Sequence, residues 1–209
     1  MSDDSARPDA RAEPRISPVP RDEWNDEVGQ AIAALFPPGA QRPVRRTNGG
    51  SRGNNVLGTL ARHPQLMRAY HVFNGHILFT TSLSPRQREL LILRVAAQRD
   101  AEYEWEQHVI LAAEAGLHDD EIARIVDGPD AAGWSVEDAA FIRAVDELLR
   151  DALITDSTWA TLSRTLDEHQ LMDLVFTVGA YDLLAMAFRS FGVELDEDLG
   201  QGGVSSLKR

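Results

Sequence analysis

The segment Leu171 to Phe188, LMDLVFTVGAYDLLAMAF, constrains the fold of this chain most, because it is apolar nearly all round. A helix of that kind is either buried on every side or spans a membrane. Asp173 and Asp182 argue against the span, since two acids inside one apolar segment are costly in lipid. Burial is the better reading, and in a chain of 209 residues burial on every side usually requires a partner subunit. The remaining segments are helical too. Trp24, Val28, Ile32 and Leu35 recur at helical spacing and stop before Pro37 and Pro38. Pro64 opens a helix to about Thr81 with Leu66, Tyr70, Phe73, Ile77 and Leu78 on its apolar face. Asp119 or Asp120 caps a short helix, Ser135 starts a longer one, and Asp156 caps another before the last begins at Glu168. No segment alternates convincingly as a strand would, so the expected class is an all-α bundle.

At 43% hydrophobic the chain can bury one good core. We expect a disordered arm over 1–17, one domain over 18–199 and a flexible tail over 200–209. A formal charge of -12 opposes binding to nucleic acid or to an anionic membrane. Met1 to Arg15 is polar rather than an apolar signal, which makes the cytoplasm the expected location. The absence of cysteine removes any thiol peroxidase cycle, thiolate nucleophile or cysteine-held cluster. Lys208 is the only lysine and sits in the tail, which argues against a Schiff base or a P-loop.

Function is sought in Leu83 to Gly116, where three ionisable side chains occupy positions that apolar residues would normally take. Ser84, Pro85 and Gln87 form a helix start with a capping box. On that helix Glu89 shares a stripe with Leu93, Ala96 and Ala97. A second helix, from about Glu102 to Ala115, carries Glu104 and His108 one turn apart on a stripe continued by Leu111 and Ala112. Two carboxylates and an imidazole make an inefficient core and are acid-base equipment if they converge. Two other readings stand beside this one. The three can form a structural network, or Glu104 and His108 can ligate a metal together with distant residues; no HExxH or ExxH pair is present, so neither a metal nor a cofactor is expected.

The same stretch resembles the carboxymuconolactone decarboxylase and alkyl hydroperoxidase D superfamily, loosely from Val56 to Leu195. The peroxidase branch has a Glu, eleven residues, Cys-x-x-Cys, three residues and a His. That frame places the Glu at Glu89 and the His at His108, with Ala101 and Glu104 where the thiols would be. The decarboxylase branch has a Glu four residues before the His, as Glu104 and His108 are here. The resemblance implies an alkyl hydroperoxidase D-like helical bundle, oligomeric as a trimer or hexamer. It also implies a cofactor-independent decarboxylase, isomerase or hydrolase acting on a small organic acid, lactone or related carbonyl compound. In that reading His108 reaches the substrate as acid or base, Glu104 orients or ionises it, and Glu89 relays the proton. Tyr103 and Trp105 flank the pair, and His71 lies on a neighbouring helix, as substrate-binding candidates. Arg42, Arg45 and Arg46, in an acid-free loop, are candidates for holding a carboxylate. A non-catalytic oligomeric scaffold that lost its thiols is the alternative; a filled space around His108 would favour it, and a solvent-connected cavity the enzyme.

Overall fold

The computed structural model describes residues 13–39, 53–197 and 199, and among these the ordered elements are all helical. They are α1 (Asp26–Ala33), α2 (Asn54–Leu60), α3 (Pro64–Gly75), α4 (Pro85–Gln98), α5 (Glu102–Glu114), α6 (Asp119–Asp127), α7 (Val136–Asp151), α8 (Asp156–Leu162) and α9 (Glu168–Phe191). A short 3-10 turn, Arg21–Glu23, precedes α1, and α3 runs on into a π-helical turn, His76–Thr80.

The bundle is built around α4, which packs against α5, α6, α7 and α9. Every residue from Glu89 to Ala97 is buried. Leu91, Ile92 and Val95 join one apolar cluster with Phe141, Val145, Leu174 and Tyr181, while Leu90, Leu93 and Ala96 join a second with Trp105, Ile122 and Ile125. Leu90, Leu91, Ile92 and Leu93 are fully enclosed, and each contributes about 1.5–3 kcal/mol through burial. Within the single chain the helix wrapped on every side is therefore α4, whereas the last helix keeps one side open, the side for which a partner subunit was expected. Helix α9 leaves Met172, Phe176, Leu183 and Met186 exposed, because α4, α7 and the π-helical turn cover only its other sides. By length and composition α9 would cross a membrane, yet 56% of its most apolar window is buried within the bundle.

Local chemistry sets the helix boundaries. Ser84 and Gln87 form the expected capping box on α4. Helix α6 is capped by His118 with Glu121, and α8 by Thr155, each one or two residues before the acids that were expected to cap. Those acids occupy the first turns, where the helix dipole favours negative charge. Asp100 breaks the chain between α4 and α5 with φ at +49, a left-handed conformation that Asp tolerates better than most residues. Gly75 allows α1 to press on α3, since a Cβ there would stand 2.5 Å from the Leu35 carbonyl oxygen. Arg94 is buried and ties α4 to α7 through a bidentate pair with Asp146, at 2.7 and 2.8 Å, and to the end of α6 through the Ile125 and Val126 carbonyls.

Candidate active site

Glu89 projects from the centre of α4 with its side chain wholly enclosed. One oxygen accepts from Arg88 Nε at 3.0 Å, and the other meets His108 Nδ1 of α5 at 2.7 Å. A single carboxylate thus joins the two central helices. Burial alone would raise the Glu89 pKa, but the His108 charge and hydrogen bond, with Arg88 behind them, hold it below the ordinary value. Tyr181 of α9 meets the His108 ring edge-on, with centroids 4.9 Å apart. With Nδ1 engaged by Glu89, Nε2 is left as the imidazole's second functional atom.

Glu104 behaves in the opposite way. It sits in the first turn of α5 at 3% exposure, and neither carboxyl oxygen has a hydrogen-bond partner. Burial first, and then the negative charge of Asp182, push its pKa well above the usual carboxylate range. Its surroundings thus favour the protonated form. The partner of His108 is consequently Glu89 of the neighbouring helix, not Glu104 as the i, i+4 spacing suggests. The Tyr70 hydroxyl is also buried without a partner, and burial together with the Glu104 charge raises its pKa.

Glu104 forms part of the wall of an open cavity of about 560 Å³ between the start of α5 and the end of α9. Tyr103 and Phe188 supply its aromatic side, in edge contact at 5.7 Å, and Arg189 with Asp100, Glu102 and Glu194 lies around it. Tyr103 is fixed by donating its hydroxyl to Asp196 at 2.7 Å. His108 is not among the wall residues; it lies one turn deeper along α5.

The other sequence candidates separate. Trp105 is buried in the core with Leu90 and Leu93 and takes no part in the cavity wall, because the helix turns it away from its neighbours Tyr103 and Glu104. His71 is buried with Nδ1 2.9 Å from the Ala31 carbonyl oxygen, an arrangement that ties α3 to α1, and burial lowers its pKa. Arg42, Arg45 and Arg46 lie outside the described residues. Arg88, Tyr181 and Asp182 surround the site without having been singled out. A tyrosine and an acid inside the apolar 171–188 segment were the available signals. Among the described residues no group of three or more His, Asp or Glu is placed to hold a metal.

Residues 64–147, from α3 through most of α7, match the profile of the Carboxymuconolactone decarboxylase family. The fold places the same residues in the same company. A crystal structure of an alkylhydroperoxidase AhpD core, an uncharacterized peroxidase-related protein from Ralstonia eutropha, matches with a TM-score of 0.70 at 16% identity, covering 90% of this chain and 95% of that one. Over residues 64–147 the chain is similar to the carboxymuconolactone decarboxylase family, and its fold is alkyl hydroperoxidase D-like. A peroxidase-related protein from Silicibacter sp. TM1040 matches at 0.67 with 14% identity, covering 97% of each chain. The debrominase Bmp8 matches at 0.65 with 11% identity, covering 87% and 92%. These identities establish a shared fold. No curated protein matches the chain in sequence. In the peroxidase motif that the sequence resembles, the thiol positions correspond to Ala101 and Glu104 of this chain, and Glu104 is the carboxyl at the cavity wall.

Proposed function

We propose that this protein is a cofactor-independent acid-base enzyme that moves protons on a small carbonyl compound or lactone, with a decarboxylation, isomerisation or hydrolysis as the net reaction. One observation carries the reading: of two buried glutamates on neighbouring helices, Glu89 is held by His108 and Arg88 while Glu104 has no partner, surroundings that favour the ionised form of the first and the protonated form of the second. Such divergence separates an acid from a base at one pH. Glu104, protonated and on the wall of the cavity, is the group that a ligand meets first. It donates to the substrate oxygen or to the developing carbanion. Glu89 stays ionised and holds His108 through Nδ1, so that Nε2 is the site at which the imidazole gives or takes a proton. The cavity reaches Glu104 and not the enclosed His108, so the space around His108 favours the scaffold alternative, and the catalytic reading rests on Glu104 at the cavity wall. Without cysteine the chain has no thiol peroxidase route.

The assay is deuterium incorporation next to the carbonyl of simple lactones and ketones in D2O, followed by proton NMR. Glu104→Gln and His108→Asn are expected to lower exchange by roughly 100-fold to 10,000-fold, the range of a positioned acid or base. Glu89 and His108 act as one unit, so their double variant should be little worse than the poorer single one. Undiminished exchange in folded Glu104→Gln would refute the assignment.

We further propose that the active form is a homo-oligomer in the cytoplasm. The exposed residues Met172, Phe176, Leu183 and Met186, with exposed Gly179 between Phe176 and Leu183, follow helical spacing and make an apolar stripe along α9. A second copy of the chain is the proposed cover.

A further inference from the structure

The Glu104 cavity differs from a carboxylate-binding site in the sign of its surroundings. Among the described residues its wall includes Glu13, Asp100, Glu102 and Glu194, which are exposed around the mouth, against one cation, Arg189. Arg189 is already engaged, donating Nη1 to the Arg99 carbonyl oxygen. An anion entering would approach several like charges across a low-dielectric wall, where repulsion is poorly screened. At the wall itself it would meet a buried acid with no protein partner, near Asp182, whose carboxylate is paired with Arg99. A carboxylate placed there would contend with Glu104 for one proton. An uncharged carbonyl oxygen meets none of these penalties. It accepts a hydrogen bond from the protonated carboxyl, which satisfies the orphaned group, while Tyr103 and Phe188 cover the apolar part of the molecule.

We infer that this cavity selects an uncharged carbonyl compound, such as a ketone or lactone, and excludes carboxylates. The inference rests on the acid-base reading above in taking Glu104 as protonated, and it narrows that reading by removing the organic acids and, with them, decarboxylation, which leaves isomerisation or hydrolysis.

Three matched probes test it by fluorine NMR titration of the full-length protein at pH 7: 4-fluoroacetophenone, 4-fluorobenzoate and 4-fluorobenzylamine. The ketone is expected to bind and the benzoate to bind at least tenfold more weakly. In the double variant Asp100→Asn, Glu194→Lys, which changes only exposed side chains, the benzoate deficit should shrink severalfold while ketone binding is retained. In Glu104→Gln the ketone should still bind, because the amide also donates. Benzoate binding as tightly as the ketone, an ammonium probe binding more tightly than the ketone, or no ketone binding at all would each overturn the ligand class. Those outcomes are distinct from failure of the acid-base reading, which is decided by deuterium exchange and by whether the Glu104 carboxyl titrates above the ordinary range in carbon-13 NMR.

Discussion

Replacing Glu104 by Met is expected to stabilise the protein, whereas replacing Glu89 by Gln is expected to destabilise it, although both glutamates are buried in the same part of the bundle. Glu104 holds two oxygens away from water with no partner, so folding bears their desolvation without compensation. A similarly sized apolar side chain removes that cost, about 1–3 kcal/mol for an unsatisfied buried group. For a domain of this size, that raises Tm by about 2–10 °C. Glu89 is the shared partner of Arg88 and His108, and breaking such a buried pair costs about 3–5 kcal/mol. The pH dependence has opposite signs. The folded pKa of Glu104 lies above its unfolded value of 4.5, so its neutral form is tolerated at low pH and stability is lost as pH rises through the folded pKa. The advantage of Glu104→Met should accordingly be smallest near pH 4 and grow with pH. The folded pKa of Glu89 lies below 4.5, so its contribution is complete above that value and is lost as pH falls through the folded pKa. The deficit of Glu89→Gln should be largest near neutrality and shrink in acid. Urea melts of the three proteins between pH 2 and pH 8 measure both trends. A Glu104→Met variant as destabilised as Glu89→Gln, or a difference independent of pH, would show that Glu104 has partners or is not protonated.

Phe176→Glu should dissociate the homo-oligomer without unfolding the chain, because Phe176 is 53% exposed in the single subunit; light scattering showing an unchanged oligomer would exclude the α9 stripe as the interface. Asp173 accepts from His76 at 2.7 Å and from the Ser82 backbone N–H and hydroxyl at 2.6 Å each, fastening the end of the π-helical turn to α9. Burial would raise its pKa, yet these bonds lower it to about 2. Asp173→Asn should therefore cost about 1–3 kcal/mol at neutral pH. The wild-type advantage should fade as pH drops from about 4 towards 2, since a depressed folded pKa loses its contribution through that window; equal acid sensitivity of the two proteins in urea melts would contradict this.

Much of the fold was legible in the residue pattern, because helix starts and stops are local chemistry: Ser84 with Gln87, Ser135 with the Asp138 backbone N–H, and Gly116 with its positive φ each act within one turn of the chain. Spacing also placed Glu89, Glu104 and His108 on inward faces, and all three are buried. Spacing alone could not say which carboxylate holds the imidazole. That choice depends on how α4 lies against α5, a long-range contact that makes Glu89 the partner 19 residues away in sequence and leaves Glu104, four residues away, without one. The fate of the two apolar helices was likewise decided in three dimensions. The 171–188 segment reads as the more deeply buried, yet α4 lies at the centre, because ordinary hydropathy counts side chains and cannot register that Arg94 and Glu89 become paired once enclosed. The cavity, its acidic mouth and its aromatic wall bring the start of α5 to the end of α9, and only the packed bundle juxtaposes segments so far apart in the chain.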